Sequence, residues 1–122
     1  MQTQEIPTHE WVPFLDEFSK RHAGELVTVE LIGEDVGAQA EARAVPLVGV
    51  NVDLADGGRR EQIEVIVGQE PRSHLMHAVP KPRRLQVARS DSGEDAALQI
   101  ESESGPTVLL RLGNTARTPP QP

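Results

Sequence analysis

Two histidines, His74 and His77, sit three residues apart in a stretch from Pro71 to Ser90 that holds no acidic residue, although the chain has 19 Asp and Glu. Arg72, Lys81, Arg83, Arg84 and Arg89 share the stretch. Guanidinium groups suit bidentate contact with carboxylate or phosphate, so the segment reads as an anion-binding edge or partner-docking strip. The plainer reading is a strand pair whose charges blunt an exposed edge and neutralise an acidic neighbour. The His-x-x-His spacing suggests a metal ligand pair only if both imidazoles point the same way. On a strand, residues i and i+3 face opposite sides, so the pair would need a helical turn or a bulge. There is no Cys and no second His pair to complete a zinc set. The expectation is therefore no metal and no cofactor. Arg72, His74, His77, Lys81, Arg83 and Arg84 form the candidate binding strip, with one His turned inward and the other exposed.

The remaining reactive side chains are less promising. Ser19 belongs to a helix, while Ser73, Ser90, Ser92, Ser102 and Ser104 fall where turns and strand ends expect serine. No Gly-x-Ser-x-Gly elbow occurs. Glu34-Asp35 and Glu94-Asp95 pair in sequence only, in loops where solvated charge suffices. Gly33, Gly37, Gly57 and Gly58 are hairpin glycines and match no phosphate-binding loop. His9 and His22 go with the helix. His22 lies on its apolar face near the C-terminal end, where the helix dipole favours a partly charged imidazole. No set of residues adds up to a catalytic site, so the chain is read as a non-enzyme.

The elements that would position these groups follow from periodicity. Trp11, Phe14 and Phe18 are the chain's only aromatic residues. With Leu15 and His22 they repeat at i, i+3, i+4, i+7 and i+11, an arc of roughly 100° on a helix. Thr8 suits the N-cap and Gly24 the stop. Pro13 is the flaw, and places an irregular first turn or a later start. Beyond Gly24 the period becomes two. Leu26–Ile32, Ala38–Val45, Leu47–Leu54, Glu61–Val67, Arg83–Arg89, Ala96–Ser102 and Thr107–Leu112 read as strands. Val48, Val50, Val52 and Leu54 share a face, and Leu85 and Val87 point inward. His74–Val79 is either strand or helical turn. Pro46 marks a bend or bulge, and hairpins turn at Asp56-Gly57-Gly58 and Ser104-Gly105. With no βαβ crossover, the prediction is an α+β fold. An N-terminal amphipathic helix packs on a twisted antiparallel sheet or small open barrel of six to eight short strands. Residues 1–113 form one domain and 114–122 a disordered tail, with three Pro and no apolar residue but Ala116.

At 122 residues the chain suffices for one core. Its net charge of −7 argues against non-specific binding of nucleic acid or anionic membrane, because counterion release needs an excess of Lys and Arg. Nothing approaches the length of a membrane span, and Met1–Glu5 lacks signal-peptide character, so the expected setting is soluble and cytoplasmic. Arg-heavy composition, with only two Lys, is common in bacteria with GC-rich genomes.

Four segments carry a resemblance to a family: EIPTHEWVPFLDEFSKRHAGELVTVELIG, GAQAEARAVPLVGV, HLMHAVPKPRRLQV and EDAALQIESESGPTVLLRL. Their order and spacing resemble DUF5335, small bacterial proteins of unknown function, over all but the tail. The resemblance implies no activity, cofactor or site residue. In layout only, the helix followed by LVTVEL and LVGVNVDLAD is similar to Sm-like RNA-binding barrels. However, Val45-Pro46-Leu47 stands where that family carries its Asp and Met-Asn, and its stacking aromatic is missing. The expected function is a non-catalytic interaction or binding module with a protein partner or a second copy of the chain. The alternative is a small-ligand or enzymatic pocket near His74 and His77.

Overall fold

The computed structural model describes residues 2–33, 37–54, 60–68 and 74–112. The expected turn at 56–58, Arg72, Ser73, Glu34-Asp35 and the tail at 114–122 lie outside the described residues. Strand β1 (Gln2–Glu5) leads through a 3-10 turn at Thr8–Glu10 into helix α1 (Trp11–His22). Seven strands follow: β2 (Leu26–Gly33), β3 (Gly37–Leu54), β4 (Arg60–Val67), β5 (Leu75–Pro80), β6 (Pro82–Arg89), β7 (Asp95–Ser102) and β8 (Thr107–Leu112). Together with β1 they form one antiparallel sheet of eight strands ordered β1-β6-β7-β8-β2-β3-β4-β5, which ends in two edges and does not close. This is the α+β architecture that the change of period predicts, in its open form.

The helix begins differently from expectation. Thr8 does not cap it. Glu10 holds the N-cap position without a side-chain hydrogen bond, and the 3-10 turn carries the chain in. Pro13 is then the third helical residue. Its missing N–H is one of the first four that have no partner inside a helix, so it costs the helix no bond. At the other end Ala23 (φ −57°, ψ 130°) and Gly24 (φ +87°) form a tight turn closed by Glu25 N–H donating to the His22 carbonyl. Gly24 sits where such a type II turn requires positive φ.

Strand β3 is the hinge of the sheet. Its first part pairs with β2 and its second with β4, and Ala44 adopts φ +51° just before Pro46. The two predicted strand segments are therefore one bent strand. Past the bend the register slips between Leu47 and Gly49, so the face is Leu47 and Val50, both buried, and not Val48, which is exposed. A bulge moves the alternation by one residue, which a strict period of two does not anticipate. The bend brings β3–β5 over β6–β8, and both wings feed one core. Leu47, Val50, Ile63 and Val65 meet Leu85, Leu98, Ile100 and Leu110 in the same buried cluster. Trp11, Leu15 and Phe18 complete it.

Bending β3 away from β2 leaves its second half with a bare backbone edge, which α1 covers. Gly24 N–H donates to the Leu47 carbonyl, and Leu47 N–H donates to the Glu25 carbonyl. The Ser19 hydroxyl donates to the Val50 carbonyl at 3.0 Å and accepts from Val50 N–H at 2.8 Å. One serine thus satisfies both polar groups of a residue that has no strand partner on that side. Ser19→Ala is expected to destabilise the fold by about 1–3 kcal/mol, measured by urea unfolding, because both groups stay under the helix without a partner.

Strand β1 was not anticipated from sequence. Gln2–Glu5 is exposed throughout and carries no apolar alternation; it is held to β6 by backbone pairing and by polar side-chain contacts from Arg84 and Arg89. His74–Val79 resolves as strand, not helical turn, with β5 starting at Leu75. Among the described residues no helix is long and apolar enough to cross a membrane.

Candidate functional site

The residues of the sequence-derived strip run along β5, round a corner and into β6. His74 precedes β5 and is exposed. His77 is half-buried and lies opposite Val65, so it shares the core face. Lys81 forms the corner between Pro80 and Pro82 with φ +48°; its N–H donates to the Glu61 carbonyl and its carbonyl accepts from Glu103 N–H. Arg83 is exposed. Arg84 is drawn to acidic neighbours on both adjoining strands, Glu5 and Glu101, each at 3.8 Å. Among the described residues no group of three or more His, Asp and Glu is arranged to hold a metal ion.

A second cluster, which the sequence did not single out, lies where the end of α1 meets the β6–β7 turn. Its centre is Asp95, whose side chain is only 6% exposed. Three cationic or donor groups converge on it. Arg21 Nη2 donates to Oδ2 at 2.7 Å, His22 Nε2 lies 2.8 Å from the same oxygen, and Arg89 Nε donates to Oδ1 at 3.1 Å. Arg89 Nη1 also donates to Gln4 Oε1 at 2.6 Å, which ties in β1. The other ring nitrogen of His22, Nδ1, faces Glu25 Oε2 at 2.7 Å. Each ring nitrogen therefore meets a carboxylate oxygen.

Local structure explains the convergence. Arg21 and His22 form the last turn of α1, and the Gly24 turn returns Glu25 to His22. Phe18 lies one turn earlier and packs against the His22 ring, with centroids 4.6 Å apart. On the sheet side, Arg89 pairs with Asp95 while Ala88 pairs with Ala97, so Ala96 is an extra residue in β7. The turn between these strands is closed by Ser90 N–H to the Glu94 carbonyl and Gly93 N–H to the Ser90 carbonyl, with Gly93 at φ +90°. Burial alone would raise the Asp95 pKa. The hydrogen bonds from His22, Arg21 and Arg89, with the Arg21 charge, outweigh it and hold the carboxyl below its ordinary value. Arg21, His22, Glu25, Arg89, Gly93, Glu94 and Asp95 line an open cleft of about 560 Å³.

Chemically this cleft is a poor place for proton transfer. A general base needs a ring nitrogen turned toward a substrate, and both nitrogens of His22 are occupied by carboxylates. Ser19, the helical hydroxyl nearest in sequence, is committed to Val50. What the cleft does offer is fixed charge, with two guanidiniums held in place by one buried carboxylate. Sequence reasoning placed His22 on the apolar face but could not supply its partner, which lies 73 residues away. The available signal was a titratable ring in an otherwise apolar stripe.

The model of a family described as a family of unknown function, DUF5335, matches residues 2–121. An uncharacterized protein from Aquifex aeolicus (strain VF5) is 26% identical over 112 residues, which cover 92% of this chain and 93% of the relative. No solved structure matches the chain. The chain belongs to the DUF5335 family.

Proposed function

We propose that this member of the DUF5335 family is a non-catalytic interaction module that takes an extended, acidic segment of a partner protein onto the edge of β5. The observation that carries the reading is the unequal treatment of the strand edges. The β1 edge is short and wholly polar. The bare half of β3 is covered by α1 and satisfied by Ser19. Strand β5 pairs only with β4 among the described residues, and it presents Leu75 and Met76, 49% and 52% exposed, more than any other large apolar side chain described. Polar composition and covering elements are how sheets suppress unwanted pairing. Among the described residues the β5 edge has neither, and an edge bearing large apolar side chains suits strand addition, where backbone bonds give affinity and alternate side chains give specificity. His74, His77, Lys81 and Arg83, with no acidic residue from Pro71 to Ser90, favour an acidic partner segment.

The test is affinity capture from source-cell lysate with quantitative mass spectrometry. It compares the native chain with two double variants: Leu75→Lys with Met76→Lys, and Lys81→Glu with Arg83→Glu. Arg84 is left intact because it pairs with Glu5 and Glu101. A partner recovered by the native chain should fall at least tenfold with both variants while Tm stays within a few degrees. Equal recovery by all three proteins would refute the reading.

A further inference from the structure

We propose that the cleft at the end of α1 binds a small zwitterion, its carboxylate held by Arg21 and Arg89 and its ammonium group by Glu25 and Glu94. The site is separate from the β5 edge. Two cationic side chains, Arg21 and Arg89, line it together with Glu25 and Glu94, over a floor made by Asp95. A simple anion would meet the guanidiniums but also two carboxylates, and a simple cation would meet the reverse. A molecule carrying both charges suits both sets of groups.

The guanidiniums are prepared for this role. Asp95 takes one nitrogen of Arg21 and one of Arg89, and Gln4 a second of Arg89. Each guanidinium has further N–H groups beyond these and is already restrained by Asp95, so less side-chain freedom remains to be lost when a carboxylate arrives. Among the described residues, the Glu94 carboxylate makes no hydrogen bond or ion pair, and Glu25 uses one oxygen on His22 and retains the other. The volume of about 560 Å³ exceeds what a free amino acid needs, and the cleft is open to solvent. That is compatible with a ligand whose charged ends are read and whose remainder faces solvent. The bonds that hold the site also hold the fold together. Substitution of Asp95 would therefore confuse binding with stability, whereas Arg21 and Glu94 are solvent-facing enough to change.

The experiment is a titration of the full chain followed by 1H–15N NMR at the amides of Gly93, Glu94 and Asp95, at low salt, where screening is weakest. Glycine, β-alanine and 4-aminobutyrate serve as probes with three separations between the charges. Acetate, methylamine and inorganic phosphate serve as half-molecules. At least one zwitterion should give saturable shifts with Kd at least tenfold below those of acetate and methylamine. Arg21→Gln and Glu94→Gln should each raise that Kd fivefold or more while leaving the spectrum of the core unchanged. Absence of saturable shifts with all three zwitterions would overturn the proposal. So would acetate or phosphate binding as tightly, which would make the cleft a simple anion site, or unchanged affinity in both variants.

Discussion

Phe18→Ala and Trp11→Ala should each cost about 3–5 kcal/mol of unfolding free energy, measured by urea denaturation at neutral pH. Phe18 is 0% exposed and Trp11 1%, and both pack into the single cluster that joins the two wings of the sheet. The sheet side of the cluster is built from aliphatic side chains that are themselves buried, so it has little slack to close over the space. The expected cost therefore includes most of the cavity left behind as well as the lost transfer energy. The two substitutions differ in one respect. Trp11 Nε1 donates to the Ile6 carbonyl at 2.8 Å in a buried setting, so removing the indole also leaves that carbonyl without the bond. Trp11→Phe narrows the comparison, since it keeps most of the volume and removes the donor. About 1–3 kcal/mol is expected for it, the cost of one buried group left unpaired. A neutral result for Phe18→Ala would mean that the helix does not sit on the sheet as the fold describes.

The helix and most strands were legible because each buries one stripe or face, and burial leaves a period. Trp11, Leu15 and Phe18 keep helical spacing and all three are buried. Leu85 and Val87, or Leu98 and Ile100, alternate with half-buried neighbours just as their sequence does. Legibility ended where structure depends on backbone pairing or on irregularity. Strand β1 has no apolar residue to reveal it. The slip after Leu47 exchanged Val48 for Leu47 on the inner face. At Ala96 the alternation of β7 is kept, but the extra residue shifts the pairing so that Asp95, and not Ala96, lies opposite Arg89. By alternation Asp95 belongs with the outward set, yet its side chain is nearly covered by Arg21, His22 and Arg89. The cleft depends on that bulge, on the tight turn at Gly24 and on contacts between residues more than 70 positions apart, and none of these leaves a periodic trace. The basic strip was legible as composition. Its geometry was not, since Arg84 is drawn to Glu5 from a strand that the sequence did not announce.

Asp95→Asn should lower stability at pH 7 by about 2–3 kcal/mol and flatten the acid limb of the stability curve. In the native chain the carboxylate takes part in three charge-assisted contacts, each stronger than a neutral hydrogen bond. Arg21 and Arg89 are 46% and 31% exposed and can turn to water when the partner is lost, which keeps the cost below that of a fully buried pair. His22, 12% exposed and packed on Phe18, cannot turn so readily, and its Nε2 would face an amide in place of an anion. The direction of the pH effect follows from linkage. The folded-state pKa of Asp95 is depressed, while in the unfolded chain the group titrates at about 3.9. Below pH 4 the unfolded state therefore binds the proton more readily than the folded state. The Asp95 contribution is fully present above that range and is lost as pH falls from about 5 through the lower folded value. Other carboxylates also titrate there, so the informative quantity is the difference between native and Asp95→Asn unfolding free energies, measured in urea from pH 7 to pH 2. That difference should hold steady down to about pH 5 and shrink steadily below it. A difference that stays constant to pH 2 would mean that the charge on Asp95 does not hold the end of α1 to β7, and that the residue acts there through shape alone.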